Sequence, residues 1–185
     1  MNEVKAIKDK EQIKKLREAL NIGSQAKRNV FLLDFGLLCP ARISDLLQLK
    51  VADVRGVSHI SIKEAKTKKT NKFVVNPHLA KIISTYTEGM LDDDWLFPSR
   101  KGNNPIGRIQ AYRALRKGAD WAGLNIEIGC HSLRKTFGYH YYLLDPTRNL
   151  ALLQKIFKHS SSAVTLRYIG IEQDDIDESI NDLSF

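Results

Sequence analysis

Residues 131–170 read HSLRKTFGYHYYLLDPTRNLALLQKIFKHSSSAVTLRYIG, and this stretch decides the fold class. Apolar residues recur at helical spacing in three successive segments, HSLRKTFGYHYYLL, NLALLQKIFKH and SSAVTLRYI. The segments are separated by DPTR and by the serines of HSSSA, residue types that favour helix boundaries. The second half of the chain is therefore predicted to be mostly helical.

The histidine and the tyrosine of HSSSAVTLRYIG, residues 159–170, cannot share one site from a single helix. His159 and Tyr168 are nine residues apart, which on a straight helix means about 900° of rotation and about 13.5 Å of rise. Their side chains would then lie on opposite faces. A serine N-cap at Ser160 or Ser161 would end one helix and begin another, so that the second helix could return Tyr168 to the side of His159.

The rest of the chain predicts more helices and one small sheet. VSHISIKEA and NKFVVN alternate apolar and polar residues around the connector KTKKT, which predicts an antiparallel hairpin with a cationic tip. Pro40 and Pro77 each suit the start of a helix. Further helices are predicted in KDKEQIKKLREAL, AKRNVFLLDFGLLC and IGRIQAYRALRKGADWAGL, and Trp95, Leu96 and Phe97 should anchor the loop DDDWLFPSRKGNNP in the core. The fold class is mainly α with a small antiparallel β-sheet (α+β).

Length and composition indicate one globular domain. The chain has 185 residues, of which 43% are hydrophobic and 27% charged. No run approaches the roughly 18 apolar residues that cross a bilayer, and the charged N-terminal stretch is unlike a signal peptide, which favours a cytoplasmic location with no membrane partner. Cys39 and Cys130 lie far apart with no histidine at metal-ligand spacing, so we interpret them as small buried apolar residues.

The distribution of charge favours a polyanionic partner. The formal net charge is +8, but residues 171–185 hold six acidic side chains and no lysine or arginine, so residues 1–170 carry +14. A basic body of this size favours nucleic acid through the release of counterions from phosphates. A solvated basic surface would have the same composition, so charge alone leaves both interpretations open.

Several groups that could bind one anion follow one another along the chain. HSLR places His131 and Arg134 about one helical turn apart, close enough to reach one phosphate together. Arg42 comes after a predicted buried helix, a lysine-rich hairpin tip spans residues 66–69, and a histidine and a tyrosine follow near the C-terminus. HxxR alone is common and is typically a capping histidine beside a surface arginine. The order of the whole set is what favours a shared site.

With this order and spacing, the chain resembles the catalytic domain of the tyrosine recombinase or phage integrase family. The matching stretches are ARISDLLQL, KEAKTKKTNKFVV, WLFPSRKG, HSLRKTF and IFKHSSSAVTLRYIG, and they run from about residue 25 to residue 170. The resemblance implies the tyrosine recombinase catalytic-domain fold within residues 1–170. It also implies a site-specific recombinase that cleaves and rejoins DNA strands through a 3′-phosphotyrosine intermediate.

The resemblance assigns the phosphate-binding roles to residues at matching positions. Arg42 and Arg134 would clamp the scissile phosphate, and two guanidiniums can bind its non-bridging oxygens bidentately without a metal ion. Lys66 would protonate the departing 5′ oxygen. Lys68 and Lys69 are close competitors, with contact to the DNA backbone or solvation as their other interpretation.

The resemblance makes Tyr168 the nucleophile. A free tyrosine hydroxyl titrates near pH ~10, so the site must favour the phenolate, and the neighbouring cations would supply that field. Because the bond energy stays in the protein–DNA link, no cofactor and no metal are expected. Tyr139, Tyr141 and Tyr142 are the rival tyrosines, and their spacing indicates packing on one buried face.

Supporting roles follow from the same resemblance. His131 would position the phosphate or the nucleophile, His159 would donate a hydrogen bond to a phosphate oxygen, and Asp45 would orient Arg42. The remaining DNA contacts are expected from four cations, Lys68, Lys69, Arg108 and Lys158. Lys158 stands where the family usually has glycine, which leaves the geometry of that turn open.

The resemblance also bears on assembly. Most members of the family carry an N-terminal core-binding domain, for which the roughly 25 residues before the matched region are too few, so the chain resembles single-domain members such as fimbrial-type DNA invertases. Residues 171–185 are predicted to form an acidic tail helix that docks on a neighbouring protomer or on its own domain. The expected partners are double-stranded DNA, a homotetramer formed on DNA, and accessory DNA-bending proteins.

Two other functions stay open beside the recombinase. A non-catalytic DNA-binding or regulatory protein could keep the same fold, and a type IB topoisomerase would use the same phosphotyrosine chemistry to relax DNA.

Overall fold

The computed structural model describes residues 4–63, 69–101, 103–171 and residue 181. The elements in chain order are α1 (Lys10–Leu20), α2 (Ala26–Leu38), α3 (Ile43–Leu46), a 3-10 helix (Val51–Asp53), β1 (His59–Lys63), β2 (Thr70–Val74), α4 (Pro77–Thr87), α5 (Arg108–Trp121), α6 (Ser132–Leu144), α7 (Pro146–Phe157) and α8 (Ser162–Ile169). The predicted fold class is confirmed. None of the helices described is long and apolar enough to cross a membrane.

The main hydrophobic core is built around α2, whose apolar residues lie on most of its faces. The ring of Phe31 stacks on Tyr86 of α4, with 3.8 Å between the ring centroids. Leu96 and Phe97 are fully buried and anchor the loop after α4 as expected, but Trp95, the third predicted anchor, is only partly buried. On the other side, α1 approaches α5 closely because Gly118 has no side chain: a Cβ atom there would lie 2.6 Å from a methyl carbon of Leu20.

The two strands form the predicted antiparallel hairpin. His59 lies opposite Val74, and Lys63 lies opposite Thr70. Alternate residues of β1 are buried, as expected for a ribbon with one face on the core. Lys69 is exposed just before β2. The hairpin tip, with Lys66 and Lys68, lies outside the described residues.

Helices α6, α7 and α8 enclose a second, smaller apolar cluster made by Leu153, Phe157 and Ile169. The cluster is closed by Gly138 of α6, where a Cβ atom would lie 2.6 Å from Ile169 Cγ2 and 2.8 Å from Phe157 Cε2. Helix α7 ends at Phe157, and α8 begins at Ser162 with Ser161 as its N-cap. The serine side chain accepts a hydrogen bond from the backbone N–H of Val164 at 3.2 Å. The predicted helix break is therefore present, with Ser161 as the cap.

The expectation that Pro40 opens a helix is wrong. Cys39 and Arg42 both have extended backbones, and α3 begins only at Ile43 and contains four residues. The carbonyl of Pro40, which a helix would direct to an N–H four residues later, instead accepts a hydrogen bond from Nη1 of Arg134. This tertiary contact keeps the backbone around Pro40 extended rather than helical. Pro77 does begin α4, as predicted.

The N-terminal residues are tied to α6. Ile7 is fully buried, and its backbone N–H donates to Oγ1 of Thr136 at 2.8 Å. The Nε2 atom of His140 lies 3.0 Å from the carbonyl oxygen of Ile7. At the other end, most of the predicted acidic tail, 172–180 and 182–185, lies outside the described residues, and the prediction of a tail helix is not tested there.

Candidate active site

Arg134 lies at the centre of the candidate site. It sits in the first turn of α6, and only 6% of it is exposed. Its guanidinium donates to the carbonyl of Pro40 and packs over the ring of Phe157, with Cζ 4.6 Å from the centroid. Its charge also acts on the pKa of Tyr168. Arg134 thereby connects the loop before α3 to α7 and α8.

Tyr168 lies in the last turn of α8 and is half-buried among aromatic and cationic groups. Its ring centroid lies 4.9 Å from that of His159 and 5.2 Å from that of Phe157, both in edge-to-face geometry. The Nζ atom of Lys135 lies 5.4 Å from the centroid of the Tyr168 ring. The helix break at the serines thus brings His159 and Tyr168 into contact.

The ionisation of Tyr168 is governed by burial. Burial raises the pKa of Tyr168 above its usual range, while the cationic Arg134 and Arg42 act to lower it. The cations therefore act in the expected direction, but desolvation outweighs them. The hydroxyl is protonated at neutral pH and must lose its proton as it attacks.

The two histidines of the site are held in the neutral form. His131 is the N-cap residue of α6, and its pKa is lowered by partial desolvation and then by four neighbouring cations, Arg134, Arg108, Lys135 and Arg42. His159 has its pKa lowered by burial and by the charge of Arg134. Its Nδ1 atom lies 3.2 Å from Oγ1 of Thr165. An anion bound among these cations would raise both histidine pKa values, because it offsets the positive field.

Arg42 and Asp45 lie at the start of the short helix α3. Asp45 is 7% exposed, and its backbone N–H donates to the carbonyl of Arg42 at 2.9 Å. Nη1 of Arg42 and Oδ2 of Asp45 are both shielded from solvent. The charge of Arg42 acts on the pKa of both His131 and Tyr168. The structure therefore brings five of the six predicted catalytic residues together: Arg42, His131, Arg134, His159 and Tyr168.

The residues predicted to contact DNA lie around this centre or outside the described chain. Arg108 is exposed at the start of α5, where its carbonyl accepts a hydrogen bond from Sγ of Cys130 at 3.5 Å. Lys158 is exposed at the end of α7 and has a left-handed backbone, with φ of 58°. That turn, which the sequence left open, therefore has the conformation that glycine adopts most easily.

The rival tyrosines pack as predicted. Tyr141 stacks on Phe137 with 5.5 Å between the ring centroids, and Lys8 Nζ lies 5.2 Å from the ring centroid of Tyr139. Both rings, with Tyr142, are partly buried against the small apolar cluster of α7 and α8. They contribute packing beside Tyr168.

The sequence reasoning missed Lys135 and Phe157. Lys135 is 6% exposed and holds its ammonium over the ring of Tyr168, and Phe157 supports both Arg134 and Tyr168. No local sequence pattern marked them: residues 132–136 of α6 are all buried in the structure, and a buried lysine must face another part of the protein.

Within the described ranges, no group of three or more His, Cys, Asp or Glu side chains is placed to hold a metal ion. Cys39 is fully buried, as interpreted from the sequence, and burial raises the pKa of its thiol to about 12. Cys130 is only half-buried.

Curated proteins similar to this chain include integrases or recombinases and a regulatory protein of fimbriae. The "Probable integrase/recombinase YoeC" of Bacillus subtilis (strain 168) is 44% identical over 174 residues, which are 94% of this chain and 93% of the relative. The "Type 1 fimbriae regulatory protein FimB" of Escherichia coli (strain K12) is 29% identical over 69% of this chain and 66% of its own. The "Putative integrase/recombinase y4qK" of Sinorhizobium fredii (strain NBRC 101917 / NGR234) is 30% identical over 70% of this chain, which spans only 42% of that relative.

Solved structures share the fold. The XerA recombinase superposes with a TM-score of 0.74 at 21% identity, over 99% of this chain and 68% of that one. A lambda integrase tetramer bound to a Holliday junction gives a TM-score of 0.68 at 16% identity, over 93% of this chain and 51% of that one.

The family model described as "Phage integrase family" matches residues 8–174, so the match begins earlier than the motifs at about residue 25 and includes α1. Together with the fold and the grouping of the site residues, this match shows that the chain belongs to the phage integrase family and has the catalytic-domain fold of tyrosine recombinases.

Proposed function

We propose that this protein is a site-specific DNA recombinase and that Tyr168 is its nucleophile. The observation that carries the proposal is the grouping around Tyr168: its ring lies 4.9 Å from that of His159 and 5.2 Å from that of Phe157, over which the Arg134 guanidinium packs. The charges of Arg134 and Arg42 act on the same hydroxyl. A cationic pocket with a tyrosine hydroxyl at its centre suits attack on a phosphodiester, where negative charge develops on the non-bridging oxygens.

In the proposed reaction, Arg42 and Arg134 hold the scissile phosphate. The Tyr168 oxygen attacks the phosphorus as its proton passes to water, and the bond from phosphorus to the 5′ oxygen breaks. Lys66 gives a proton to the departing 5′ oxygen. The products are a 3′-phosphotyrosine and a free 5′ hydroxyl, so a second 5′ hydroxyl can reverse the step on another strand without added energy.

The roles of the remaining residues are proposed from where each lies relative to the phosphate site. His131 and His159 flank the phosphate site as hydrogen-bond donors, and Asp45, buried one turn from Arg42, orients that guanidinium. Further DNA contacts come from Lys68 of the hairpin tip and from three exposed cations, Lys69, Arg108 and Lys158. No cofactor enters the chemistry.

The proposed partner is double-stranded DNA, on which the protein assembles as a tetramer in the cytoplasm. The support for assembly is the fold shared with a lambda integrase tetramer on a Holliday junction. We propose that the acidic tail, residues 171–185, takes part in contacts between protomers, and that accessory DNA-bending proteins assist.

The test uses nicked duplexes that carry candidate recombination sites from the DNA flanking the gene, including any inverted repeats there. The nick lets the 5′-hydroxyl fragment diffuse away, so that the covalent protein–DNA adduct accumulates and is seen on a denaturing gel. We expect an adduct with the wild-type protein and none with Tyr168→Phe, while the matched variant Tyr139→Phe keeps it.

The outcomes separate the candidate functions. An adduct that survives Tyr168→Phe would show that another residue is the nucleophile. Tight binding of a flanking site with no adduct would favour the non-catalytic DNA-binding protein. Relaxation of any supercoiled plasmid, without preference for a site, would favour the topoisomerase.

A further inference from the structure

A second cationic surface lies away from the candidate active site. A groove of about 560 Å³ runs between the start of α2, the loop that follows Pro98, and one side of α5, and none of the proposed catalytic residues lines it. Five cationic side chains line this α2–α5 groove, and no acidic side chain does so among the residues described: Arg28, Arg100, Lys101, Arg113 and Lys117.

The groove is built around Arg28, which is held in a fixed orientation. Its Nη1 donates to the carbonyl of Pro98 at 2.9 Å, and its Nη2 donates to Oδ1 of Asn29 at 2.9 Å. Both partners are neutral, so they orient the guanidinium without cancelling its charge. Partial burial and the charge of Arg100 lower the pKa of Arg28. Like charges gathered in this way favour the binding of an anion, which relieves their repulsion.

The outer edge of the groove is formed by the end of α5. The ring of Trp121 is 52% exposed, and the Nζ atom of Lys117 lies 4.3 Å from its centroid. This cation–π contact directs the ammonium along the groove edge. Arg113 lies one helical turn before Lys117, so the two cations follow each other on the same side of α5.

Helix α5 also joins the groove to the candidate active site. Arg108 begins α5, and its charge acts on His131. Along the helix axis, Arg113 and Lys117 lie about 7.5 and about 13.5 Å beyond Arg108. The two groove cations therefore lie further along the helix that begins beside the candidate active site.

We propose that the α2–α5 groove binds the phosphate backbone of duplex DNA as a second anchor, separate from the catalytic pocket. That the groove and the pocket bind the same duplex rests on the proposed function. Binding of duplex phosphate by the groove does not depend on it.

The first measurement is the salt dependence of binding to a 30-base-pair duplex of arbitrary sequence, followed by fluorescence anisotropy. The logarithm of the binding constant falls with the logarithm of salt concentration, with a slope of about −0.9 for each phosphate contacted. We expect Arg113→Gln with Lys117→Gln to make this slope less steep by about 1.8. The control pair, Lys10→Gln with Lys14→Gln, has the same spacing on exposed α1, lies outside the groove, and should leave the slope unchanged. Circular dichroism checks that both double variants fold.

The second measurement is adduct formation on the nicked duplex at saturating protein. The groove variant should match the wild type there, because Arg113 and Lys117 lie outside the catalytic pocket. An unchanged slope in the groove variant, or an equal change in the α1 control, would overturn the groove proposal even if the adduct forms. A reduced slope in a protein that forms no adduct would support the groove and reject the proposed chemistry.

Discussion

At the scale of single residues, the proton on Tyr168 sets the pH dependence of the proposed reaction. Burial raises the pKa of Tyr168, and Arg134 and Arg42 only partly offset this effect. Below its pKa, the phenolate fraction increases about tenfold for each pH unit. We expect the single-turnover rate of adduct formation to rise from pH 7 to pH 9 without a plateau, measured by quenching reactions on the nicked duplex. A rate that levels off below pH 8 would show that the tyrosine ionises more easily than its burial implies.

The residues that touch the phosphate could be predicted from sequence because their chemistry is restricted. Arginine, histidine and tyrosine in a fixed order are informative even when each motif is weak alone. Lys135 and Phe157 could not be assigned in the same way, since their roles depend on which faces of α6 and α7 meet. The net effect of burial and charge on the pKa of Tyr168 could not be predicted from the sequence either, because it depends on how deeply that ring is buried in the fold.

At the scale of elements, the junction between α7 and α8 depends on Lys158. This residue is the one non-glycine residue with positive φ in the described part of the chain. A residue with a Cβ atom pays roughly 1 kcal/mol in this region compared with glycine. We expect Lys158→Gly to raise the free energy of unfolding by about 0.5–1 kcal/mol over Lys158→Ala, measured by urea denaturation.

The comparison with alanine isolates the backbone, because both variants remove the lysine side chain. If glycine and alanine gave equal stability, the left-handed turn would not be strained. Weaker DNA binding in both variants, with normal binding in Lys158→Arg, would support the proposed phosphate contact of the lysine.

The hairpin and the helices show which sequence patterns are enough to predict an element of the fold. The hairpin and the serine-capped helix break were predicted because alternation and capping act over a few neighbouring residues. The prediction of a helix starting at Pro40 was wrong, because Arg134, 94 residues away, donates a hydrogen bond to the proline carbonyl. Contacts that link distant parts of the chain are not encoded in a local pattern.

At the scale of the whole molecule, the candidate site lies where the two apolar clusters meet. Arg42 follows α2 of the main core, while Tyr168 belongs to the smaller cluster of α6, α7 and α8. Arg134 bridges them through Pro40 and Phe157. The geometry of the site therefore depends on both clusters being folded, and loss of the main core would separate Arg42 from Tyr168.

The stability of the main core should in turn fall at alkaline pH because Cys39 is buried within it. Burial raises the pKa of its thiol from an ordinary value of 9.0 to about 12. A pKa raised in the folded state contributes stability that is full below pH 9 and is lost as the pH rises toward 12, at about 1.4 kcal/mol per pH unit. We expect Cys39→Ala to lose less free energy of unfolding between pH 8 and pH 11 than the wild type, by about 2–3 kcal/mol, in urea titrations at each pH.

The cavity left by the alanine destabilises the variant at both pH values, so the difference between them reports the thiol alone. Tyr86, whose pKa burial raises to about 12, is present in both proteins and should produce the alkaline loss that remains. Cys130→Ala is the matched control, because this thiol is half-buried and lies outside the set of buried core residues. Its removal should therefore reduce the alkaline loss of unfolding free energy by less than Cys39→Ala does. Parallel pH profiles for the wild type and Cys39→Ala would mean that the thiol ionises as readily in the folded protein as in the unfolded one, so that burial in the main core does not raise its pKa.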